Sequence, residues 1–134
     1  MKLRLLGDTL RFRLTKTEVT TLRDQGWWQT SSCLGPEGGP RFIYRVEAAE
    51  VEKPAVRFSA GFETVVTAVL PQKDVQNWSD GSQVGLYFEE SWGLKVAVEK
   101  DFQCLDPRRD EDESDHFDNP LAGDSRHIQC HGEE

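Results

Sequence analysis

Hydrophobic and polar residues alternate from the start of the chain. Leu3 and Leu5 alternate with Lys2 and Arg4, and Leu10, Phe12 and Leu14 alternate with Arg11 and Arg13. A period of two predicts a pair of strands, each with one apolar and one basic face. Gly7-Asp8 between them suits a tight turn because glycine tolerates positive φ, so residues 2–14 read as a β-hairpin. The period then lengthens. Thr15 stands three residues before Glu18, Val19 and Leu22 follow at i and i+3 spacing, and Gly26 closes the segment. That is the pattern of a short helix with a capping box and a glycine stop. Its threonines are weak helix formers, so packing of Val19 and Leu22 must support it.

The remaining chain repeats the theme. Residues 27–34 predict a strand opening on Trp27-Trp28, residues 35–40 a Gly/Pro loop, and residues 41–47 a return strand. Residues 48–54 read as a polar connector. Residues 55–59 and 61–70 form a second hairpin about 59–61, and Pro71 suits the first turn of the helix that follows. Gly81 and Gly85 bracket its exit, and a last hairpin turns at residues 90–93.

Two offsets tie the halves together. Shifted by 56 residues, Leu14, Glu18, Val19, Leu22 and Asp24 fall on Leu70, Asp74, Val75, Trp78 and Asp80. Shifted by 52, Val46-Glu47 falls on Val98-Glu99. The expected fold is therefore α+β: mainly antiparallel strands, as a barrel or two sheets, with two short helices. It would be built from two strand–strand–helix–strand–strand units spanning 1–47 and 55–99. Short amphipathic helices cannot bury their stripes alone, so the two units should share one core. One globular domain over 1–103 would be followed by an acidic extension over 104–134, partly ordered at most.

Charge supports that division. The net charge is −8, and residues 99–134 hold 12 of the 24 acidic but 4 of the 16 basic side chains. The first 98 residues balance at 12 of each. Binding to nucleic acid through bulk charge needs clustered cations, so it is disfavoured; Lys2, Arg4, Arg11 and Arg13 form a local basic patch. The opening residues lack the apolar run of a secretion signal, and no stretch has the length of a membrane helix. Three cysteines make no secreted disulfide framework. A cytoplasmic protein is expected.

Candidate chemistry concentrates late in the chain. Cys104, His116, His127 and Cys130 supply the thiolate and imidazole ligands that zinc prefers, and four such groups can close a tetrahedral site. Their spacing lacks a Cys-x-x-Cys knuckle, and Cys104 as a buried small hydrophobe is the simpler reading. The acidic run 110–115 fails the calcium-loop pattern, with Asp115 where glycine is needed and Leu121 where glutamate is needed. The Gly/Pro loop has no Lys-Ser/Thr for phosphate. Trp78, matching Leu22, is expected in the core. Trp27 and Trp28 are strand neighbours and must face opposite ways, so one is free to meet a partner. Trp28 and Trp92, the latter at a hairpin tip, are the candidate partner-binding residues.

Residues 64–99 carry a strand ending in Val69-Leu70-Pro71, a Pro-started short helix, a Gly/Asp loop, and two strands closing on Val98-Glu99. This resembles the swapped-hairpin family of transition-state regulators and antitoxins. The resemblance implies a fold of paired hairpins, formed there by two subunits and here by two halves of one chain, and DNA binding as a regulator. Where that family has an Arg-rich contact arm, residues 64–69 here hold no basic side chain. Across the whole length, from Met1-Lys-Leu-Arg through Glu99-Lys-Asp-Phe-Gln-Cys-Leu to Asp118-Asn-Pro, the chain resembles a bacterial family of short proteins of unknown function. Non-enzymatic action through a protein partner or self-association, with no cofactor, is the leading expectation. Zinc binding and DNA binding are the alternatives.

Overall fold

Ten elements follow one another in the computed structural model, which describes residues 1–102. They are β1 (Lys2–Leu6), β2 (Thr9–Leu14), α1 (Lys16–Gln25), β3 (Trp27–Cys33), β4 (Arg41–Ala49), β5 (Ala55–Ser59), β6 (Glu63–Pro71), α2 (Gln72–Asp80), β7 (Gly85–Glu89) and β8 (Lys95–Lys100). The predicted capping box is formed at α1: Thr15 Oγ1 accepts the Glu18 amide at 3.3 Å, and Glu18 Oε1 accepts the Thr15 amide at 2.9 Å. Gly26 ends α1 at φ 94° and donates its amide to the Leu22 carbonyl. Pro71 behaves otherwise than expected. It ends β6 with extended ψ 135° and stands at the N-cap of α2, so the first helical residue is Gln72.

Among the described residues the strands form two four-stranded sheets, β1-β2-β8-β7 and β3-β4-β6-β5, and no closed barrel. Each sheet is mixed. Its outer pairs are antiparallel hairpins, and its central pair, β2 with β8 or β4 with β6, is parallel. Hairpins alone would make antiparallel sheets; joining a hairpin of the first unit to one of the second makes the parallel seam. Ala48 and Ala49, expected in the connector, extend β4 beside Leu70 and Pro71.

The same register governs both sheets. Leu14 lies opposite Lys100 in one, and Leu70 lies opposite Ala48 in the other. These are the positions that the offsets of 56 and 52 relate. Two further hydrogen bonds match, with acceptors 58 residues apart: the Ala48 amide reaches the Gly26 carbonyl at 2.8 Å, and the Lys100 amide reaches the Val84 carbonyl at 3.0 Å.

Residues 1–101 are one compact unit, and its core draws matched positions from both halves. Leu14 and Leu70, Val46 and Val98, Val19 and Val75, and Leu22 and Trp78 are all buried there. Large and small alternate between halves: Phe12 corresponds to Ala68, whereas Leu22 corresponds to Trp78. Close packing favours such complementarity, since two large side chains at each pair would overfill the interior. Trp78 is fully buried, and its indole N–H is satisfied by the Val84 carbonyl at 3.1 Å. The helices touch, and Arg23 of α1 pairs with Asp80 of α2 at 3.0 Å. The two sheets are also tied at their edges, where Glu90 Oε2 accepts the Val56 amide at 2.6 Å.

Candidate functional site

Trp28 and Trp92 occupy different environments. Trp28 shares a row with Val46 and Ala68 and packs partly buried against the core. Its indole N–H is buried without a hydrogen-bond partner among the described residues. Trp27, one residue earlier, takes the outer face of the sheet, with the Arg45 guanidinium 4.7 Å from its ring centroid. The exposed member of the pair is thus Trp27, because the row through Trp28 is the one that continues into the core. Trp92 lies in the turn at residues 90–93, whose close is made by Gly93 at φ 100° donating to Glu90, and stands 67% exposed.

Trp92 is accompanied by apolar residues that the strand pattern hid. Leu5 pairs with Leu10 and belongs to an inward-facing row, yet it is 68% exposed. In the other sheet Phe58 pairs with Val66 in the same way and is 65% exposed. Leu10 and Val66 are 56 residues apart, so Leu5 and Phe58 are equivalent positions. A second pair follows from β3 and β7. Trp27 pairs with Glu47 and Gly85 with Glu99, and the same step along the chain carries Leu34 onto Trp92. Leu34 is 70% exposed. Leu6 and Phe62, also exposed, stand beside the turns of β1-β2 and β5-β6. The turn end of each sheet therefore carries uncovered apolar side chains at matching places.

These residues escaped the sequence reading for a reason. An apolar residue on the inward face of a strand is read as core, but at the last rows of these edge strands the side chains stand exposed. The available signal was position: Leu5 and Leu6 directly precede Gly7-Asp8, and Leu34 directly precedes the Gly/Pro loop.

The outer face of the first sheet is basic, as the alternation predicts. Lys2 lies opposite Arg13, and Arg4 opposite Arg11. Glu99 on β8 stands 3.5 Å from Arg11 and 3.6 Å from Arg13, and accepts the Tyr87 hydroxyl at 2.9 Å. Burial, together with that hydrogen bond and the Glu99 charge, raises the Tyr87 phenol above its ordinary pKa. Gly85 gives this cluster its room: a Cβ there would lie 2.8 Å from Glu99 Cγ and from the Val98 carbonyl oxygen, and 3.0 Å from the Tyr87 oxygen. The outer face of the second sheet carries a network centred on Glu47 instead. Arg45 donates to Glu47 at 3.1 Å and Gln29 at 3.0 Å, and Arg57 donates to Glu47 at 3.3 Å.

The candidate zinc ligands Cys104, His116, His127 and Cys130, and the acidic run 110–115, lie outside the described residues. Among the described residues no group of three or more His, Cys, Asp or Glu is arranged to hold a metal ion. No helix among them is long and apolar enough to cross a membrane. What the described surface offers is apolar contact area at the turn ends and fixed charge on the first sheet.

The chain belongs to a family of unknown function, DUF7009, whose model matches residues 1–121. No curated protein and no solved structure matches the chain.

Proposed function

We propose that this member of a family of unknown function is a non-enzymatic, cytoplasmic bacterial protein that works by binding a protein partner through the turn ends of its sheets. One observation carries this reading. Uncovered apolar side chains recur at equivalent positions, Leu5 with Phe58 and Leu34 with Trp92. Single exposed hydrophobics are ordinary on any surface, but repetition at matched places is not expected of scatter. An exposed tryptophan at a turn is the residue type that dominates binding energy when a partner covers it.

The matched register of the two sheets also supports reading residues 1–47 and 55–99 as an internal duplication, which supplies two versions of one contact surface. The versions differ in composition, with Leu5, Leu6 and Trp92 in one and Phe58, Phe62 and Leu34 in the other. One partner with two sites, or two different partners, would suit that difference.

The test is affinity capture by the full chain from cells that produce it, beside Leu5→Ser/Trp92→Ser and Leu34→Ser/Phe58→Ser variants. Light scattering on the purified chain reads self-association in parallel. A stoichiometric protein, or a self-complex, lost in one double variant whose thermal stability is kept is the expected result. A captured protein held equally by both variants would place the contact elsewhere and overturn the assignment.

A further inference from the structure

We infer that the edge of β1 left unpaired among the described residues receives an extended acidic segment of a partner protein, added as a fifth strand with acidic side chains alternating with apolar ones. This rests on the partner-binding reading and names the chemistry of the partner. Among the described residues β1 pairs with β2 on one side only, and its register runs unbroken from Lys2 to Leu6 without a bulge or proline. Alternate residues of an edge strand turn their N–H and C=O groups to the open side, where another strand can pair with them.

The side chains of β1 say which strand fits. On the outer face, Lys2 and Arg4 are backed by Arg13 and Arg11 on β2. Glu99 serves Arg11 and Arg13, and Asp101 lies 3.3 Å from Lys2, so two carboxylates serve three of the four cations. Among the described residues Arg4 has no ion-pair partner. On the inner face Leu3 is partly buried and Leu5 is largely exposed. Residues opposite each other on a ladder share a face, so the complement is a strand with Asp or Glu on one face and apolar side chains on the other.

The other three edges lack this combination. β3 presents Trp27, Gln29, Ser31 and Cys33 outward, with no charge. The Arg57 of β5 is already paired with Glu47. β7 presents Gly85, Tyr87 and Glu89, without a cation. A nucleic acid would use the cations of β1 and β2 but leave the open backbone edge and Leu5 unanswered, and Glu99 stands among those cations. The acidic strand answers all of these features together.

The experiment uses the full chain and three fluorescein-labelled probes: a peptide alternating Glu and Val, the same peptide with alternate amides N-methylated, and a DNA duplex. N-methylation keeps the charge but removes the donors that a ladder needs. Anisotropy should show saturable binding of the first peptide, weaker at higher salt, with slowed exchange of β1 amides. Arg4→Glu, at an exposed position, should weaken it about tenfold, and Lys2→Glu provides an independent second reversal. Equal binding of the methylated peptide, indifference to both reversals, or tighter binding of the duplex would each overturn the inference. If the peptide fails while the turn-end variants still abolish capture of a partner, the strand inference falls and the partner reading stands. If capture ignores the turn ends but the peptide binds as expected, the strand inference stands and the turn-end assignment falls.

Discussion

Glu90 reaches from the turn between β7 and β8 to accept the backbone amide of Val56, on β5 of the other sheet, at 2.6 Å. Val56 packs partly buried against the core, on a strand that among the described residues pairs only with β6. An edge amide in such a place needs an acceptor, and a carboxylate is a strong one. Removing it leaves a donor with water or nothing. Glu90→Ala should therefore cost about 1–3 kcal/mol. A urea midpoint and the exchange rate of the Val56 amide will check this, and unchanged exchange would mean that the contact does not hold the seam.

Glu18 links the start of the chain to α1. The N-terminal ammonium of Met1 donates to Glu18 Oε2 at 2.6 Å, while Oε1 accepts the Thr15 amide. Burial alone would raise the Glu18 pKa, but the hydrogen bond from the ammonium, those from Thr15 and the ammonium's charge outweigh it, and the net shift is downward. A carboxylate held below its unfolded pKa adds stability that is full above the unfolded value and is lost as pH falls through the folded one. Urea midpoints should thus fall across the acidic range, and Glu18→Gln should flatten that fall. A variant with the same pH slope as the parent would show that other carboxylates carry it.

Two tryptophans should behave oppositely. Trp78 is fully enclosed, so Trp78→Ala removes a large core side chain at a cost of about 3–5 kcal/mol. Trp92→Ser at the exposed turn should shift stability by no more than about 0.5 kcal/mol. Thermal unfolding followed by circular dichroism separates the two, and a large loss from Trp92→Ser would reassign that residue to folding.

Gly85 has no room for a side chain. A methyl group there meets the Val98 carbonyl oxygen at 2.8 Å, and backbone cannot swing aside as a side chain can. Gly85→Ala should destabilise by about 1–3 kcal/mol and break the Tyr87–Glu99 hydrogen bond. Loss of the raised Tyr87 ionisation, read by ultraviolet titration of the phenol, would accompany the loss of stability.

The sequence by itself determined the elements. Period-two alternation drew the strands, Thr15, Glu18 and Gly26 bounded α1, and Gly7-Asp8 and residues 90–93 marked turns, because all of these act over a few residues. It also placed Trp78 in the core through its match to Leu22, and showed that β1 and β2 have a basic face. Only the tertiary structure decided which hairpins share a sheet. Parallel pairing of β2 with β8 joins residues that are far apart in the chain, and no local pattern specifies a distant partner. In the other sheet, pairing of β3 with β4 and of β4 with β6 decided that Trp28 turns inward and Trp27 outward, since a period of two says that neighbours differ but not which face meets the core. The tertiary structure also left Leu5 and Phe58 exposed. Their rows face inward, but each stands near the turn at the edge of its sheet, and whether anything covers that place depends on the neighbouring sheet and not on the residue.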